Sequence, residues 1–264
     1  MQYDLRRLLD AATAGAPGAT WVGLRKRRTA TTSHVARDGT FDQSASNHDE
    51  GIMVEVLHSG QFGYAATPDL SPAGVAAAAR LALMTAKSAA GRGVHDFDAS
   101  VRPPTKATYS SHRLRKAPVA PDGIFAFLFD ACAALKADDK VIQTLAMVES
   151  GRSDFELVST AGADIEQSLH YIGTTLQAVA RDGEIVQRRT ANGPRSLIRQ
   201  GGWELLDMAG LLEKAAQVGN EAVELLSAEP CPSDRRTLVL APGQMILQIH
   251  ESVGHPLELD RILG

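Results

Sequence analysis

Cysteine is scarce in this chain. Its 264 residues include only Cys132 and Cys231, too few for the disulfide framework that holds small secreted domains together. No run approaches the roughly 18 uninterrupted apolar residues of a membrane-spanning helix. The opening Met1-Gln2-Tyr3-Asp4-Leu5-Arg6-Arg7 mixes acid and base and has no apolar stretch of the kind a signal peptide needs. Together these absences predict a cytoplasmic setting without a membrane partner. No basic block is long enough to suggest a nucleic-acid footprint, and the net charge is −4, so nucleic acid is not an expected partner. There is no phosphate-binding Walker pattern, no nucleophile elbow and no Cys-x-x-Cys pair.

What is present is ordinary for a soluble globular protein: 44% apolar and 22% charged residues. The length exceeds a usual single domain. Leu5, Leu8, Leu9 and Ala12 share one face of an opening helix. From Thr20 to Thr67 strands are expected, with Arg37-Asp38-Gly39 as a hairpin and Glu50-Gly51 and Ser59-Gly60 as punctuation. Ser71-Pro72 predicts a capped helix to about Ala90, its alanine-rich surface lying close to the sheet. Residues 91–121 hold four prolines and read as a linker. Asp122 is expected to cap a second unit's first helix, followed by strands near 140–149, 154–160, 164–180 and 184–190. A helix from Met208 to Leu226 closes that unit. A short strand, Arg236 to Ala241, and a helix from Met245 to Glu251 follow. The fold class is α+β: antiparallel sheets with packed helices in two successive units, then the start of a third. The domains are 1–110, 118–228 and 232–264.

That last helix delivers Ile249-His250-Glu251-Ser252-Val253-Gly254-His255-Pro256. Histidines four apart on a helix face the same way, offset by about 40°. His250 and His255 are five apart, which on a regular helix separates them by roughly 140°, too far to share a small cation. A π-type turn restores the shared face. Alternatively the helix stops near Val253, Gly254 turns left-handed and His255 returns from the following turn, with Pro256 biasing it away from helical angles. The second account is favoured. Neutral imidazoles suit Zn²⁺, and Glu251 stands where a carboxylate could take a proton from an activated water. Read without context, the same residues are a helix end with two polar-facing histidines and a surface glutamate.

His-Glu-Ser-Val-Gly-His-Pro-Leu-Glu-Leu-Asp, residues 250–260, resembles the signature of the TldD half of the TldD/PmbA metalloprotease family. That signature usually reads His-Glu-x-x-Gly-His-x-Leu-Glu-Gly-Asp. Arg37-Asp38-Gly39, Gly51 and the run from Gly60 to Leu70 resemble the family's N-terminal domain, and the region of Arg181-Asp182-Gly183 its middle domain. The resemblance implies that His250 and His255 ligate zinc and that Glu251 is the general base. Glu258 and Asp260, at the signature's acidic positions, would orient the ligands. It also implies unfolded proteins or peptide precursors as substrates, and a dimer, either with a PmbA-type subunit or of two like chains. The third ligand it implies is a cysteine in a C-terminal domain beyond residue 264. Neither Cys132, in an apolar helical run, nor Cys231, between two prolines, corresponds to it. Leu259 replaces the usual glycine, where a side chain is expected to crowd the turn after the ligands.

His34, His48, His58, His95, His112 and His170 have no ligand spacing, and Arg25 to Arg28 read as a solvated strand face. The rival to a peptidase is a non-catalytic fragment acting as a peptide-binding or scaffold subunit.

Overall fold

Turn chemistry and helix caps lay out most of the chain. The computed structural model describes residues 4–111, 116–194 and 197–263; His112 lies outside them. The first run of elements is α1 (Leu5–Gly15), β1 (Trp21–Arg37), β2 (Thr40–His58), β3 (Gln61–Thr67) and α2 (Pro72–Ala89). β4 (Lys106–Ser110) lies between the two runs. The second comprises α3 (Pro121–Leu135), β5 (Val141–Ser159), β6 (Asp164–Asp182), β7 (Ile185–Pro194), β8 (Leu197–Gln200) and α4 (Met208–Glu224). The strands form one sheet in the order β3-β2-β1-β5-β6-β4, with β7 and β8 also paired to β6. The class is α+β, as expected. The sheet is antiparallel except at β4, which runs parallel to β6 with Lys106 opposite Asp164.

Both early hairpins turn where glycine permits it. Asp38 and Gly39 have φ of 50° and 74°, and Ser59 and Gly60 have 50° and 76°. Two successive left-handed residues are the type I′ geometry whose twist matches flanking strands. α2 begins as expected: Ser71 Oγ accepts the N–H of Gly74 at 3.1 Å, with Pro72 in the first turn. α3 differs. Ala120 occupies its N-cap position without a side-chain bond, and Asp122 sits inside the first turn. Pro121 makes the cap dispensable, since its fixed φ is already helical.

Four other expectations are corrected. β2 continues through Glu50-Gly51, and β5 runs unbroken through Ser150-Gly151, joining the strands expected near 140–149 and 154–160. A turn-favouring dipeptide stays extended when neighbouring strands take up its backbone groups, and β5 lies between β1 and β6. The linker contains β4, whose side chains are all exposed; backbone pairing makes this strand, not burial, so no periodicity announces it. Arg236 to Ala241 form no strand. Leu238 and Val239 are 76% and 88% exposed, and an apolar run without a neighbouring ladder has nothing to pair with.

The chain divides into two compact units, each built from separate segments: Met1–Thr31, Asn47–His112 and Gly151–His170 in one, Thr32–Ser46, Arg113–Ser150 and Tyr171–Gly264 in the other. The first has a core of Leu5, Leu8 and Ala12 from α1, Val75, Ala79 and Ala82 from α2, and Val22, Leu24, Ile52, Val54 and Val56 from the strands. The second buries Ile124, Leu128 and Leu135 of α3 and Ala215, Val218 and Ala222 of α4 with Val141, Val148 and Leu176 of the strands. Among the described residues, no helix is long and apolar enough to cross a membrane.

Candidate metal centre

After α4 the chain reaches α5 (Pro242–Ile249), again opened by a proline. Its ladder then widens. The N–H of His255 donates to the carbonyl of His250, so His250–Gly254 form a π turn. Gly254 has φ −62° and ψ −60°, and His255 φ −62° and ψ −42°, all right-handed helical values. The favoured expectation, a left-handed Gly254 with His255 returning from a later turn, is thus replaced by the π-turn alternative. An i→i−5 bond stacks residues five apart over one another, and it holds His255 helical despite the following proline. Pro256 has no N–H to continue the ladder. The chain therefore tightens into a 3₁₀ turn, His255–Leu257, closed by the Glu258 N–H on the His255 carbonyl at 3.1 Å.

The π turn brings the histidines together. Their ring centroids are 4.4 Å apart at 76°. Glu251 lies between their outer nitrogens, 3.9 Å from His250 Nε2 and 3.8 Å from His255 Nε2. One ligand atom from each of the three falls within 4.8 Å of the others, and among the described residues this is the one such group of three or more. Neither cysteine belongs to it: Cys132 is buried and Cys231 exposed.

Glu258 Oε1 stands 2.8 Å from His255 Nδ1. A carboxylate only accepts, so this contact places the ring proton on Nδ1 and leaves Nε2 a free lone pair on the side of Glu251. The Glu258 hydrogen bond and charge raise the pKa of His255, and Glu251 and Asp260 add to the effect. Asp260 acts only through space, from the first turn of α6 (Leu259–Leu263). Arg261, which sequence reading passed over, donates from Nε to Glu258 Oε2 at 3.3 Å. The Glu-x-x-Arg spacing was the available signal, since residues three apart on a helix are neighbours. Leu259 does not crowd the turn: it is 67% exposed and opens α6.

Two imidazole nitrogens beside a carboxylate, one imidazole already fixed in its ligating tautomer, make a donor set that fits a divalent zinc ion. The group is open to solvent, with side-chain exposures of 63% for His250, 57% for Glu251 and 30% for His255.

The other described histidines stay apart from this group. His34 is buried, its Nδ1 3.0 Å from Ser44 Oγ and its ring edge-on to Phe125, and burial lowers its pKa. Burial also lowers that of His170. In the basic run, Lys26 is tied to Glu50 and Glu156 at 3.3 and 3.4 Å, while Arg25, Arg27 and Arg28 are exposed.

Comparison with known proteins adds the context. Residues 23–86 match the PmbA/TldA metallopeptidase domain 1, and residues 116–228 match the PmbA/TldA metallopeptidase central domain. A protein from Methanothermobacter thermautotrophicus named "Metalloprotease" is 28% identical over 250 residues, covering 92% of this chain and 51% of that relative. The chain thus spans about half the length of the curated relative it matches. Among solved structures, a protein from Thermotoga maritima described as a candidate modulator of a DNA gyrase has a TM-score of 0.63 at 19% identity. The match covers 88% of this chain and 50% of that one. TldE from Thermococcus kodakarensis has a TM-score of 0.54 at 15% identity, covering 81% and 46%. These two likenesses speak to the fold.

Proposed function

Because the chain belongs to the PmbA/TldD family of metallopeptidases, we propose that it is the TldD-type part of a zinc-dependent peptidase. His250 and His255 hold the metal and Glu251 is the general base. The observation that carries this reading is the π turn, which brings two histidines five apart and the intervening glutamate within 4.8 Å. A zinc ion held there supplies Lewis acidity toward the scissile carbonyl. Glu251 takes a proton from the attacking water and passes it to the leaving amine. Glu258 keeps His255 in its ligating tautomer, Arg261 steadies Glu258, and Asp260 adds negative charge. A third protein ligand, the cysteine the family resemblance implies, is assigned to the part of the relative's length that this chain does not span. The reading divides the chain into an N-terminal domain (1–110), a middle domain (118–228) and the start of the catalytic domain (232–264).

Zinc titration by equilibrium dialysis tests the ligand assignment. His250→Ala and His255→Ala are each expected to abolish measurable binding. Glu258→Gln is expected to weaken it by about 10–100-fold, the usual cost of losing a carboxylate behind a ligating histidine. Unchanged zinc affinity in both alanine variants would remove the metal centre from this position.

The substrates are unfolded proteins or peptide precursors, the setting is cytoplasmic, and the working assembly pairs the chain with a PmbA-type subunit or a second copy. Sheet edges bind extended peptides through backbone hydrogen bonds, which a compact fold cannot offer. The complete protein is therefore expected to cleave a reduced substrate much faster than the same sequence locked in its fold by a disulfide. Equal rates for the two forms would exclude recognition of an extended strand.

A further inference from the structure

Away from the metal residues, the first compact unit carries a groove of about 710 Å³ on one face of its strands, within the usual size of a ligand site. Side chains alternate along a strand. Val22 and Leu24 of β1 and Ile52 and Val54 of β2 enter the core, so Arg25, Arg27 and Met53 project from the opposite face. In strand order Met53 lies on β2 to one side of the arginines, and Phe155 on β5, then Leu169 on β6, to the other. The result is a cationic centre between apolar flanks.

The arginines are held over this floor without being neutralised. Arg25 lies 3.2 Å from Met53 Sδ, and Arg27 donates to Ser153 Oγ at 3.4 Å. Among the described residues neither meets a carboxylate in an ion pair. Glu50 at the rim is already engaged by Lys26 at 3.3 Å, which leaves Asp49 as the acidic counterweight in the lining.

We propose that this groove docks an extended acidic peptide segment. Arg25 and Arg27 pair with carboxylates two residues apart, while Met53, Phe155 and Leu169 pack against the methylene stems of those acidic side chains and shield the ion pairs from water. The spacing matches: residues i and i+2 of a strand are about 6.6–6.8 Å apart, and so are alternate side chains of an extended ligand. A planar guanidinium suits each carboxylate. Docking here does not depend on His250, Glu251 or His255, so it stands or falls separately from the zinc centre.

The test is fluorescence anisotropy with an end-blocked, labelled decapeptide alternating Glu and Leu, measured at low and high salt. The wild-type chain is expected to bind it, more weakly as salt rises. Arg25→Gln/Arg27→Gln is expected to bind at least about tenfold more weakly, the equivalent of about 1.4 kcal/mol. Arg80→Gln on α2, away from the groove, serves as the control and is expected to match wild type. A peptide with Gln for every Glu should lose binding to the same extent, which gives an answer even if the double variant fails to fold by circular dichroism. No binding, equal binding of the Gln peptide, an unaffected folded double variant, or equal competition by a short single-stranded oligonucleotide would each overturn the proposal.

Discussion

Glu251→Gln in the complete protein is expected to reduce peptide hydrolysis by about 10²–10⁴-fold, the contribution of a positioned general base, with zinc content unchanged. Two distances set that expectation. Glu251 stands 3.9 and 3.8 Å from the outer nitrogens of His250 and His255, close enough to act on a water held beside them. Its amide replacement keeps the shape and loses the ability to accept a proton. Assays on metal-loaded enzyme separate this from loss of zinc. If kcat falls and zinc stoichiometry stays constant, Glu251 is the base. Near-normal turnover in the loaded variant would move that role to another residue.

The second large effect concerns the fold. Gly63 of β3 lies opposite Val56 of β2. A Cβ built on it would come 2.0 Å from the carbonyl oxygen of Ala82 and 2.5 Å from the nitrogen of Ala86, both in α2. Helix backbone cannot yield as a flexible side chain can. Gly63→Leu must therefore lift α2 from the strand and open the core that Val75, Ala79 and Ala82 share with Val54 and Val56. Overpacking a core typically costs about 1–3 kcal/mol; here backbone opposes backbone, and a loss above that range is expected, against a typical total stability of about 5–15 kcal/mol. Urea denaturation followed by circular dichroism reads it directly. A midpoint within experimental error of wild type would show that α2 can shift at little cost.

The alanine-rich face of residues 71–90 announced a helix lying close to strands, but not that Gly63 would be the point of approach. Which residues meet across elements is a property of the packed chain, and local spacing does not carry it. The same division runs through the sheet. Asp38-Gly39 was legible as a hairpin because its two left-handed residues are a local requirement. Gly51 and Gly151 were misread as breaks, since only the neighbouring strands decide whether a turn-prone pair stays extended. β4 was missed for the same reason.

At the candidate metal centre, the residue types and their order along the chain were readable from the sequence. His250, Glu251 and His255, with Glu258 behind, are the group that the structure brings together, and their roles rest on the proposal above. Spacing alone established that a regular helix could not present both histidines to one ion, because five residues overshoot a turn. It left two backbones able to do so. The choice lay in hydrogen bonding: His255 N–H finds the carbonyl of His250, Gly254 stays right-handed, and Pro256, with no N–H, ends the widened turn there. The sequence by itself determined which side chains are available and what a straight helix would forbid. The tertiary structure decided the path of the backbone beneath them, because that depends on which carbonyl each N–H reaches.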